Sequence, residues 1–238
     1  MRELLQKTLS LPTRTDSRPQ KKKRKSRGQS LVEMTLTLPL ILFIFSGLVE
    51  FGFMLNYYLS LLDATRYAAR DFANASPFTP TGGDNPDFYY DSSTNVGAVA
   101  DVLGQLNPRT GLPNGNPDNS RKVALDPATD DVIVSVFSVV SPTSITTYPA
   151  DFPYHWNQTH PQTPYFTEAT LQSQLVSGAP CQGVLVVEVA YTYHQILNLP
   201  WMAWLGSPVL HAYTVMPLQA AEPISPGSTN YTWLPVCQ

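Results

Sequence analysis

MTLTLPLILFIFSGLVEFGFML, residues 34–55, is the stretch that decides how the rest of the chain is read. It holds 22 residues with a single charge, Glu50. About 20 apolar residues in a helix, at about 1.5 Å each, cross the hydrocarbon core of a bilayer. The run is longer than the core of a secretory signal, and no small-residue cleavage site of the A-x-A kind follows it. The expectation is a retained transmembrane helix. Pro39 removes one helical hydrogen bond, which predicts a kink or loosening over 35–39. Thr35 and Thr37 are placed to satisfy part of the freed carbonyls.

Downstream, residues 56–73 (NYYLSLLDATRYAARDFA) keep a helical period, so one helix is expected over about 30–73. Asn74 and Pro77 end it. Tyr57 and Tyr58 stand where an aromatic belt would mark the far membrane interface.

Upstream, ten of the 15 Lys and Arg residues precede Gln29, so residues 1–28 carry a formal +8 and the remainder -11. The tract Lys21-Lys22-Lys23-Arg24-Lys25 abuts the apolar run. Charges so placed hold a chain end in the cytoplasm, and this reading is preferred to nucleic-acid binding. The acidic bulk is then extracytoplasmic. There Cys181 and Cys237 are a possible disulfide, with two buried thiols as the other reading.

Residues 76–122 are rich in Pro, Gly, Asn, Asp and Ser, and only 95–106 looks helical. Strands are expected at 132–140, 184–193 and 209–217, with a short helix at 167–176. The fold class is therefore α+β: a long N-terminal transmembrane helix, then a small antiparallel-sheet domain with long loops. The organisation reads as a disordered basic cytoplasmic leader at 1–28, the helix at 29–74, and an extracytoplasmic domain at 75–238.

No zinc, P-loop, dinucleotide or serine-hydrolase motif occurs, so neither a metal site, a cofactor nor an enzyme is expected. The loop aspartates Asp84, Asp87, Asp91 and Asp118 do not match a calcium-loop spacing. His194 and His211 read as structural. Trp201 and Trp204, with Met202 and Leu205, read as core packing, with a membrane or partner contact as the alternative. Glu50 is expected near the outer interface or against a partner helix rather than on an ion path. Gly47 and Gly52 leave room for close helix packing.

A basic tract, Gly28, and Glu33 five residues on, followed by an apolar helix, together resemble the processing region of type IV prepilins and pseudopilins. The wider block from Gly28 to Arg70 resembles the TadE-like family of the tight-adherence (Tad, Flp) pilus system. Its matching elements are Gly28, Val32-Glu33, Leu38-Pro39-Leu40, Gly47, Glu50, Gly52 and Ala68-Ala69-Arg70. The resemblance implies cleavage between Gly28 and Gln29 by a prepilin peptidase. It implies an assembly role for Glu33, which would set register against the freed amino group of a neighbouring subunit. It also implies other pilin-like subunits and Tad assembly proteins as partners, in the bacterial inner membrane with the N-terminus cytoplasmic. The alternative function is an uncleaved, membrane-tethered surface or periplasmic binding module.

Overall fold

The computed structural model describes residues 27–79, 83–107, 123–141, 144–149, 153–174, 182–201 and 206–218. Cys181 and Cys237, and Trp204 with Met202 and Leu205, lie outside them. The chain divides into two compact units, Met1–Leu42 and Phe43–Gln238.

Helix α1 runs Arg27–Phe72 with Pro39 inside it. Pro39 does not end the helix. The Thr35 hydroxyl donates to the Leu31 carbonyl at 2.8 Å and that of Thr37 to the Glu33 carbonyl at 2.8 Å. Both hydroxyls thus bond a carbonyl one turn back, and neither reaches the carbonyl of Thr35 that proline leaves unpaired. In the first unit every residue from Ser30 to Leu42 is exposed.

In the second unit, the part of α1 beyond Phe43 supplies one side of a core. Leu61, Ala64, Ala68 and Ala69 are buried on one helical face, at the three- and four-residue spacing that aligns side chains along a helix. Short helices follow: α2 (Pro86–Tyr89), capped by the Asn85 side chain, and α3 (Ala98–Leu106). Gly97, ahead of α3, has φ +121°, and a Cβ there would sit 2.6 Å from the Tyr89 carbonyl oxygen, so only glycine fits.

The sheet has five antiparallel strands: β1 (Asp131–Ser141), β2 (Ser144–Tyr148), β3 (Tyr154–His155), β4 (Gln182–Thr192) and β5 (Val209–Leu218). Their order is β2-β1-β4-β5, with β3 also on β1. Alternation splits the side chains between two faces. Val132, Val134 and Val136 of β1 and Leu185, Val187 and Val189 of β4 join the α1 and α3 residues in the main core. Phe137, Val139 and Val186 face the other way, under Phe166 and Leu171. Leu171 lies on α4 (Glu168–Gln174). Burial on both faces is why β1 and β4 read as nearly continuous valine runs.

The three expected strands and the helices at 95–106 and 167–176 are present with shifted ends. β2, β3 and α2 were not expected. β2 and β3 fall in a Pro- and Thr-rich stretch, and their short length leaves little pattern to read.

Candidate functional site

The site is built on α1. Over Ser30–Phe45 every side chain is exposed, including Leu36 at 73% and Phe45 at 63%. α1 is long and apolar enough to cross a membrane, and only 11% of its most apolar 18 residues are buried. That low burial separates it from the core helix of a soluble domain.

At Ser46 the helix changes character. Ser46 and Glu50, one turn apart, are buried on the same face, while Leu48, Phe51, Leu55 and Leu59 stay exposed on another. Glu50 is 5% exposed. Its Oε1 accepts from the Tyr193 hydroxyl at 2.7 Å and the Ile196 amide at 2.8 Å, and its Oε2 accepts from the Leu197 amide at 3.1 Å. The Trp201 indole N–H donates to the Ser46 hydroxyl at 3.2 Å. Three N–H or O–H donors hold the carboxylate in the place of a cation, and such charge-assisted bonds are the stronger kind. Burial, and then the adjoining carboxylate, push the Tyr193 phenol well above its usual range, which keeps it a donor.

The segment that delivers these donors joins β4 to β5. It is pinned at one end by the Tyr193 amide to the Pro208 carbonyl at 2.9 Å, and Gln195 donates to the Gly206 carbonyl at 3.2 Å. Asn198 holds φ 43°, a left-handed turn that asparagine tolerates better than most residues. Glu50 is thus a fastener between helix and sheet domain. Tyr57 likewise packs into the domain, stacked on Tyr191 at 5.9 Å and edge-on to Tyr193 at 5.6 Å. Trp201 is 45% exposed and is not a core residue.

Of the other expected residues, Gly28 and Gln29 fall in the first turn of α1, and Glu33 and Pro39 are exposed. Gly47 and Gly52 face open space, with nothing within 4 Å of an added Cβ. They are not brought together with Glu50's partners.

Two further carboxylates went unread in the sequence. Asp131, fully buried, meets His155 Nδ1 at 2.6 Å and accepts from the amides of Asn157 at 2.9 Å and Gln162 at 3.0 Å. Glu188, also fully buried, accepts from the amides of Tyr165 at 2.8 Å and Phe166 at 3.2 Å. Together they tie residues 153–166 across the outer face of the sheet. A lone acid inside VLVVEVAYTY was the available signal, since a charge in a fully apolar strand must be satisfied within the fold. Burial pushes Glu188 up and His211, whose Nδ1 lies 3.7 Å from it, down. Among the described residues no group of three metal-ligating side chains gathers.

Residues 28–70 match the family model for TadE-like protein. The segment is TadE-like. It occupies less than a fifth of the 238 residues and ends within α1. Glu33, Pro39, Gly47, Glu50 and Gly52 all lie in the TadE-like segment, whereas the donors to Glu50 come from outside it. No curated protein and no solved structure is similar enough to match. The TadE-like segment and the apolar helix point to a membrane protein associated with a Tad-type pilus.

Proposed function

We propose that this chain is a pseudopilin-like component for assembly of a Tad/Flp-type pilus or a related secretion or adhesion apparatus. The observation that carries the reading is the change along α1 inside a TadE-like segment. Ser30–Phe45 is bare and apolar on every side, and the turns after it are fastened to a sheet domain through Glu50. A helix so divided can sit in lipid or among like helices at one end while its other end carries a folded head.

On this reading the lysine-rich leader stays in the cytoplasm and the head lies outside the inner membrane. A prepilin peptidase cuts between Gly28 and Gln29. Glu33 then meets the new amino group of a neighbouring pilin-like subunit, because a carboxylate in lipid needs a partner. Gly47 and Gly52, open in this chain, allow a neighbouring helix to approach beside the exposed Leu48, Phe51 and Leu55. The activity is binding and assembly, with Tad pilus assembly proteins as partners.

The alternative is an uncleaved membrane-tethered binding module. It is favoured by α1 beginning at Arg27, so that the Gly28–Gln29 bond is already helical. One measurement separates the two: intact mass and N-terminal sequence of the chain from membranes that contain a prepilin peptidase. The pilus reading expects an N-terminus at Gln29, abolished by Gly28→Leu. An intact leader in the wild type leaves the tethered module.

A further inference from the structure

The outer face of the sheet, away from α1, holds a groove of about 590 Å³. That volume lies within the range of sites that take ligands. Its lining includes Pro153 and Pro164, both half-buried, beside the nearly covered rings of Phe137 and Phe166. Ser135 lines the groove on the same face of β1 as Phe137. It is fully buried, and its hydroxyl has no hydrogen-bond partner. Glu168, in the first turn of α4, is the only charged residue among the described residues that line the groove. One of its oxygens accepts from the Thr147 hydroxyl at 2.8 Å.

We propose that this groove receives a lysine or arginine side chain from a partner polypeptide. The stem of such a side chain lies on apolar surface while its head seeks a carboxylate, and the groove offers the half-buried Pro153 and Pro164 for the one and the exposed Glu168 for the other. A buried hydroxyl without a partner marks a place where a polar group of the incoming chain is wanted. The wider charge agrees. Residues 75–238 carry three Lys or Arg against twelve Asp or Glu, and Asp84, Asp87, Asp126 and Glu168 are exposed. Such a surface draws cationic partners and repels anionic ones.

Other ligand classes fit less well. A sugar needs an exposed ring to stack on, and Phe137 and Phe166 are only 1% and 3% exposed. A divalent cation needs several oxygen ligands from charged groups, and the described lining holds a single carboxylate.

The test uses the full chain in non-ionic detergent, titrated by thermophoresis with acetyl-Gly-Ser-Lys-Ser-Gly-amide and its arginine and norleucine counterparts. The lysine and arginine peptides are expected to bind about fivefold more tightly than the norleucine one, the range of a partly exposed ion pair. Glu168→Gln should remove that preference. Ser135→Ala should weaken all three peptides without lowering the melting temperature, since deleting an unpaired buried hydroxyl costs the fold nothing. Ser135→Ala also decides the matter alone should Glu168→Gln disturb α4. Equal binding of lysine and norleucine peptides, or no binding, overturns the proposal. So does a cation preference that survives both substitutions, because binding then belongs to the acidic surface at large.

Discussion

The two stretches of α1 on either side of Ser46 obey opposite rules although they are one helix. Before it, apolar side chains point in every direction and none is covered. After it, small and polar residues take one face: Ser46, Glu50, Ser60, Ala64, Ala68. The first stretch is specified by the solvent it requires, so one leucine there is much like another. The second is specified by shape and by hydrogen-bond donors on other segments, so single positions matter. Hydrophobicity alone does not distinguish a helix meant for lipid from one meant for a sheet; the distribution of small and polar residues around the axis does.

The largest effect that would test this contrast is a pair of truncations. Leu61 is fully buried, and Leu61→Ala should cost the sheet domain about 2–5 kcal/mol. Leu40 is 59% exposed, and Leu40→Ala should leave domain unfolding by denaturant, followed by circular dichroism in detergent, within about 0.5 kcal/mol of wild type. Equal losses at the two sites would dissolve the comparison.

A smaller effect is expected at the fastener. Glu50→Leu strands the Tyr193 hydroxyl, while the amides of the exposed Ile196 and half-buried Leu197 can turn to water, so the net loss is about 1–3 kcal/mol, that of one donor left buried without a partner. Hydrogen exchange should accelerate at Ile196 and Leu197 while the amides of β1 and β4 keep their protection. Uniform acceleration across the sheet would show that Glu50 supports the whole domain and not the β4–β5 connection.

The smallest effect concerns pH. Burial raises Glu188 above its ordinary value of 4.5. The folded state therefore holds this proton more tightly than the unfolded state. The stabilisation from that group is complete below the unfolded value and is lost as pH rises through the folded one. Glu188→Gln, which carries no ionisable group, should gain on the wild type in melting temperature as pH climbs from about 4 to 7. A gap that stays constant over this range would mean the carboxyl is not penalised by burial.

Much of the architecture was legible because it rests on long patterns. The apolar run, the valine-rich β1 and β4, and β5 each persist for ten residues or more; the strands were expected within two residues of their observed ends and the helix within three. β2 and β3 span five and two residues, too few for a period to show. The site was harder. Glu50 stood out as a charge in an apolar run, but two of its three donors are backbone amides, which carry no signature in the sequence. The stacking of Tyr57 on Tyr191, 134 residues away in sequence, likewise leaves no local pattern to read. Asp131 and Glu188 are satisfied in the same way, by amides of residues 157–166.

The uncovered stretch Ser30–Phe45 is about 24 Å long at about 1.5 Å per residue, against a hydrocarbon thickness of about 30 Å. Under the membrane reading that mismatch has a mechanical consequence. The missing length must come from local thinning of the bilayer, or from the greasy stripe of Leu48, Phe51 and Leu55 dipping in on one side alone. A subunit wetted by lipid tails on one flank and by water on the other has a preferred tilt. It would strain the leaflet around it until neighbouring helices replace the lipid.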